Sequence, residues 1–278
     1  PPTTSSASSP TAAVTSRCRS LRLGTVTAVV ASSPDAARDV LQRHDAAFSA
    51  RAVPDGAHVF AHYTHSMGWL PSTSPRWRAL RKVCTAELFA PHRLDAHGSL
   101  RQEKLFSAGT DTTSATVEWA MAELLLNPSS MAKARAELAQ VLGSKPEVEE
   151  SDISELKYLQ AVVKETFRLH PPAPFLLPHL ADATTQVRGR ARPGQRPEKF
   201  MPERFLVGEN KEVDFRGRDF ELLPFGSGRM VHLILASLLH HFHWSLPADV
   251  GKNGLDMGER LGINLSMATP LQALATPV

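Results

Sequence analysis

Cysteine is nearly missing from this sequence: only Cys18 and Cys84 occur among 278 residues. Two thiols cannot build a disulfide framework, so a small disulfide-stapled scaffold is excluded and a reducing compartment is the default. Aromatic residues are scarce at 6%, which argues against the stacking platforms that hold single-stranded nucleic acid. A one-sided charge is lacking too. With 31 basic against 28 acidic side chains, the formal charge of +3 and pI near 9.0 are too mild for a nucleic-acid partner. No apolar run reaches the roughly 18 to 20 residues that span a bilayer. The longest, Met230 to Leu239, is interrupted by His232. Pro1 to Ser16 is a Ser/Thr/Pro/Ala tract without an apolar segment, hence no secretory signal, and residues 1–20 are expected to form a disordered tail. The chain opens on Pro1 rather than Met, which suggests a fragment or a processed product without a membrane anchor.

What is present is globular composition: 42% apolar and 21% charged residues, enough for a core and long enough for two ordinary domains or one large one. Leu21 to Ser32 reads as two short β-branched strands around Gly24 and Thr25. Ser33 and Pro34 open a helix that runs to about His44. Further helices are expected over 76–88, 106–126, 129–142 (closed by Gly143), 156–169 (stopped by Pro171 and Pro172) and 230–242. The Pro-, Gly- and Arg-rich stretch up to Phe225 reads as coil with short strands, and the tail from Leu261 as strand and loop. No internal repeat occurs. The fold class is mainly α with minor β.

Five motifs follow one another. They are Trp77-Arg78-Ala79-Leu80-Arg81, then Ala108-Gly109-Thr110-Asp111-Thr112-Thr113 inside a helix, and then Leu156-Lys157-Tyr158-Leu159 continuing to His170-Pro171-Pro172. Pro202-Glu203-Arg204-Phe205 and Phe225-Gly226-Ser227-Gly228-Arg229 complete the series. Within the third, Glu165 and Arg168 stand three residues apart on one helical face, so their side chains can meet. Taken alone such a pair is a surface ion pair, but its order among the other motifs points to chemistry.

Together these residues resemble the cytochrome P-450 family of haem-thiolate monooxygenases, in particular its plant microsomal members that hydroxylate geraniol and related monoterpenols. The resemblance covers nearly everything after Leu21, and the Leu-Lys-Tyr-Leu…His-Pro-Pro run and the Pro-Glu-Arg-Phe box are its most specific pieces. It implies a haem cofactor and one oxygen atom of O2 inserted into a small lipophilic, terpenoid-like substrate. It also implies electrons from an NADPH-dependent reductase and a place on the cytosolic face of the endoplasmic reticulum. By resemblance, Glu165, Arg168 and Arg204 form a buried charged triad beneath the haem. Trp77 and Arg81 face a propionate, and His179 is a further candidate contact there. Gly109 lets the backbone pass close to bound dioxygen, and Thr112 with Asp111 organises proton delivery to the distal oxygen. Read without the resemblance, the two threonines are interior hydroxyls satisfied by backbone carbonyls.

The pattern then breaks. The family's proximal loop reads F-x-x-G-x-R-x-C-x-G. Here Phe225 to Arg229 begin it, but Met230, Val231 and His232 follow where the cysteine stretch should be, and no cysteine occurs after Cys84. Thiolate donation to iron favours O–O cleavage, so its loss removes the axial push. His232 falls by count on the cysteine position but belongs to the following helix; imidazole ligation there is an alternative. Cys84 reads as a buried thiol. His240, His241 and His243 read as the polar end of a helix beside Trp244 rather than a metal site, and no metal ligand is assigned. Two other junctions suggest missing segments, Lys104–Leu105 and Pro193–Pro197. Residues 21–278 are therefore expected to form a single, incomplete cytochrome P-450 fold with seams near 104/105, 193–197 and 229/230. Apolar surface on the 106–126 helix is expected to be uncovered. A catalytically inactive product, or a weak histidine-ligated haem module, is the competing reading to an active monooxygenase.

Overall fold

The structure, a computed structural model, describes residues 18–23, 26–53, 55–88, 90, 110–176, 178–181, 198–207, 213–214, 219–220, 222, 228–262 and 264–278. The chain divides into two compact units: Pro1–Lys104 with Phe175–Pro193, and Leu105–Pro174 with Gly194–Val278.

The first unit opens with strands β1 (Cys18–Leu23) and β2 (Val26–Ala31), paired antiparallel from Cys18 opposite Ala31 to Leu23 opposite Val26. Val26, Thr27, Val29 and Val30 give β2 its β-branched character. Cys18 to Ser20, expected as part of a disordered tail, belong to β1, and residues 1–17 lie outside the described residues. Ser33 caps helix α1 (Pro34–Arg38), its Oγ accepting the Ala36 amide at 3.2 Å. The helix continues as a wider π-type turn over Asp39–Arg43, bridged by an Arg43–Asp39 ion pair at 2.9 Å. A short helix α2 (Asp55–His58) runs into a 3-10 turn, Val59–Thr64. Helix α3 (Pro75–Val83) begins on proline, whose fixed φ suits the first turn, and widens into a π-type turn at Cys84–Leu88. Strands β3 (Ala50–Arg51) and β4 (His179–Leu180) pair antiparallel. Among the described residues of this unit, Ala36 and Phe48 form a core cluster with Ala31, Val40, Ala47 and Ala181 against them, and α3 buries no residue.

The second unit is helical. Helix α4 (Thr110–Leu126) ends where Pro128 cannot continue it, and Asn127 folds back so that its Nδ2 donates to the Glu123 carbonyl at 2.8 Å. Helix α5 (Pro128–Leu142) stops at Gly143, whose φ of 55° is the left-handed region that a side chain resists. Helix α6 (Lys157–Leu169) is amphipathic, with Tyr158, Leu159, Ala161, Val162, Val163, Thr166 and Phe167 turned inward. Helix α7 (Arg229–His241) follows Gly228, which is left-handed at φ 63°. It passes into β5 (Phe242–Ser245), then α8 (Ala248–Asn253), the β6 (Glu259–Leu261) and β7 (Leu265–Met267) hairpin, and β8 (Leu274–Pro277), which pairs with β5.

Helix α4 runs through the middle of this unit and packs on α5, α6, α7 and β7. The sequence predicts an uncovered apolar face over 106–126; among the described residues that holds only at the C-terminal end, where Leu126 is exposed and Leu125 half-buried. From Ala115 to Leu124 every residue but Glu118 is buried, as suits a helix that is apolar all round. Glu118 is used as well, its Oε1 accepting the Leu271 amide at 2.8 Å and so fastening the segment before β8. Among the described residues no helix is long and apolar enough to cross a membrane.

Candidate functional site

Glu165 lies on the inward face of α6 and is fully buried. A bare carboxylate there would carry a large desolvation cost, so its oxygens need charged or hydrogen-bonding partners. They have four. Arg168 donates from Nε to Oε2 at 2.8 Å and from Nη2 to Oε1 at 2.9 Å, a two-pronged contact set by the three-residue spacing on the helix. Arg204, carried on the 3-10 turn Pro202–Phe205, donates from Nε to Oε1 at 2.9 Å, and the Met201 amide donates to the same oxygen at 2.8 Å. Both arginines also reach the Lys199 carbonyl, at 3.4 and 3.0 Å. Three residues singled out from the sequence are thus brought together, and the Pro-Glu-Arg-Phe segment is tied to α6.

The same segment is held a second time. Glu203 pairs with Lys133 of α5 at 2.6 Å and accepts the Tyr158 hydroxyl at 2.9 Å. Burial pushes the Glu203 carboxyl up, but Lys133 and Tyr158 outweigh it and hold it below the usual range. Burial pushes Tyr158 up to about 12, so its hydroxyl stays a donor.

Each remaining candidate residue is described within its own unit. Thr112 is half-buried in the first turn of α4, where its carbonyl accepts the Thr116 hydroxyl at 2.8 Å. The back-bonding hydroxyl of this helix is therefore Thr116. Asp111 is exposed, and Gly109 lies outside the described residues. In the first unit Trp77 and Arg81 sit one turn apart on α3. Trp77 donates from Nε1 to the Met67 carbonyl at 3.1 Å, and Arg81 is exposed. His179 Nδ1 lies 2.6 Å from the Phe48 carbonyl, and burial, seconded by nearby Arg51, pushes its pKa down.

Two arrangements go unread in the sequence. His170, at the end of α6, stacks on Trp119 of α4 with ring centroids 3.9 Å apart, and its Nε2 lies 2.9 Å from Glu123 Oε1. The His of the His-Pro-Pro run and a Trp-x-x-x-Glu pair at helical spacing are the signals that could have found it. Glu137 of α5 accepts the Tyr158 and Leu159 amides at 2.7 and 2.9 Å. It thereby caps α6, whose own preceding residue Leu156 has no capping side chain. Nothing in the local sequence announces a cap supplied from another helix.

The donor set decides whether a thiolate-held haem fits these residues. Helix α7 starts at Arg229, directly after Gly228, so no cysteine loop separates the left-handed glycine from the helix. The second unit contains no cysteine, and Cys84 follows α3 in the first. Cys84 is half-buried rather than buried as the sequence suggests. His232 is buried within α7, its Nδ1 2.6 Å from the Gly228 carbonyl one turn back, and burial pushes its pKa down. The rings of His240 and His241 meet edge-on at 5.0 Å, while His240 Nε2 lies 3.0 Å from the Lys145 carbonyl, His241 meets Phe242 edge-on, and His243 faces Arg135. The residues at the Gly228–Arg229 junction therefore do not supply the thiolate that a haem of this family takes.

Comparison with known proteins supplies the lineage. The cytochrome P-450 family pattern matches residues 15–103 and 100–193. Cytochrome P-450 76T24 of Catharanthus roseus is 31% identical, over 92% of this chain and 85% of its own. Geraniol 8-hydroxylase of Swertia mussotii is 30% identical, over 93% and 86% of the two chains. Geraniol 8-hydroxylase of Catharanthus roseus is also 30% identical, over 92% and 86%. These alignments run over 428 to 431 positions against the 278 residues here, so long internal segments of those relatives have no counterpart in this chain. Family pattern and relatives agree with the motifs and with the helical fold: the chain belongs to the cytochrome P-450 family.

Proposed function

We propose that the chain descends from a terpenoid-oxidising haem-thiolate monooxygenase and that, as it stands, it does not turn over. The observation that carries the second half is the junction at Gly228 and Arg229, where α7 begins without a cysteine. Lacking a thiolate, the polypeptide has no axial donor to favour O–O cleavage. The lineage's substrate class is a small lipophilic terpenoid, a reading supported by two relatives named geraniol 8-hydroxylases. Its electrons come from an NADPH-dependent reductase on the cytosolic face of the endoplasmic reticulum. The Glu165–Arg168–Arg204 cluster is the part of the proximal framework that the chain retains, and Asp111 and Thr112 stand where the lineage delivers protons.

The seams belong to the same proposal. The division between units at Lys104–Leu105 and again at Pro193–Gly194 supports deletions at 104/105 and 193–197, and the family pattern restarts near residue 100. Purified chain supplied with haemin, an NADPH reductase and geraniol tests the reading. Hydroxylated geraniol, measured by mass spectrometry, is expected to stay at the level of haemin alone. Reductase-dependent product above that level overturns the inactivity. A variant with a cysteine-containing loop inserted between Arg229 and Met230 is expected to gain retained haem.

A further inference from the structure

A groove of about 390 Å³ lies in the second unit between the end of α4, the start of α5 and β5. That volume is in the range of small-molecule sites. Its walls are apolar, built by Leu124, Leu125, Met131, Trp244 and Leu246, and its one cation is Arg135. The indole of Trp244 is fixed by its Nε1 donating to the Leu238 carbonyl at 2.8 Å. Arg135 is fixed in turn by Nη1 donating to the Phe242 carbonyl at 2.6 Å, with Nη2 3.5 Å from His243 Nε2. Among the described residues no carboxylate pairs with it, unlike Arg168, Arg204 and Arg43, which all have one. A guanidinium held in place beside an apolar wall, with its charge unmatched, is complementary to an anion that carries an apolar body.

We infer that this groove binds a lipophilic monocarboxylate, with the carboxylate on Arg135 and the hydrocarbon along Leu125, Met131 and Trp244. The proposal is independent of haem and of turnover. No contact that it uses lies in the first unit.

Decanoate is the probe, decanol its uncharged control, and isothermal titration calorimetry on the full chain the measurement. Decanoate is expected to bind saturably at one site, and decanol about 10- to 100-fold more weakly, the loss of one charge-assisted contact. Arg135→Ala should weaken decanoate by a similar factor and leave decanol unchanged. Met131→Trp, which keeps the cation and fills the groove, should abolish both, with circular dichroism reporting that each variant is folded. Equal binding of acid and alcohol, non-saturating partition, no binding, or an Arg135→Ala variant that binds decanoate like the parent would each overturn the assignment.

Discussion

Glu165 Oε1 accepts Arg204 Nε at 2.9 Å across 39 residues of sequence, inside a unit where Glu165 itself is fully buried. The carboxylate is shared with Arg168, so neither arginine can be lost without stranding charge. Glu165→Ala leaves two guanidinium groups facing a cavity, and Arg204→Leu leaves a buried carboxylate half-paired. Each is expected to cost about 3–5 kcal/mol by urea unfolding, and the double variant less than the sum. A loss below about 1 kcal/mol, the range of a surface ion pair, would mean that the cluster does not hold the Pro-Glu-Arg-Phe segment.

The cap that Glu137 supplies to α6 gives a second, smaller effect. Glu137→Ala removes acceptors from the Tyr158 and Leu159 amides and should destabilise the unit by about 1 kcal/mol, within the roughly 0.5–2 kcal/mol usual for caps. Amide hydrogen exchange at residues 158 and 159 is the local readout. Faster exchange there, with little change on α5, is the expected pattern; unchanged protection refutes the cap.

His232 sets a pH dependence. Burial lowers its pKa from the ordinary 6.5, Lys164 adding to this while the Gly228 carbonyl and Asp214 oppose it. The unfolded chain therefore takes up the proton more readily than the folded one. Stability from this group is complete above the ordinary histidine range and is lost as pH falls through the lower folded value. Thermal unfolding followed from about pH 7 to about pH 5 should show a falling midpoint, and His232→Gln should flatten that slope. An unchanged slope in the variant contradicts the assignment.

Much of this is legible in the sequence, for reasons that differ by element. The ends of α4, α5 and α6 follow from Pro128, Gly143 and Pro171, because backbone restrictions act locally. The Glu165–Arg168 contact follows from helical spacing, whereas Arg204 comes from motif resemblance, since no local rule joins residues 39 apart. The stack of His170 on Trp119 and the Glu137 cap depend on how helices cross, which periodicity does not report. The missing segments predict bare apolar surface on α4, because they remove partners of that helix. The structure instead covers Ala115 to Leu124 with α5, α6, α7 and β7, elements that follow it in the chain, and leaves Leu126 exposed.

The central claim is that a cytochrome P-450 chain with the Gly228–Arg229 junction carries no thiolate-ligated haem. The most direct measurement is the carbon monoxide difference spectrum of the purified chain after haemin addition and dithionite reduction. No red-shifted, thiolate-type Soret band is predicted. A shorter-wavelength band abolished by His232→Ala would agree with the missing thiolate while assigning imidazole ligation to α7. A stoichiometric thiolate-type band would contradict the account.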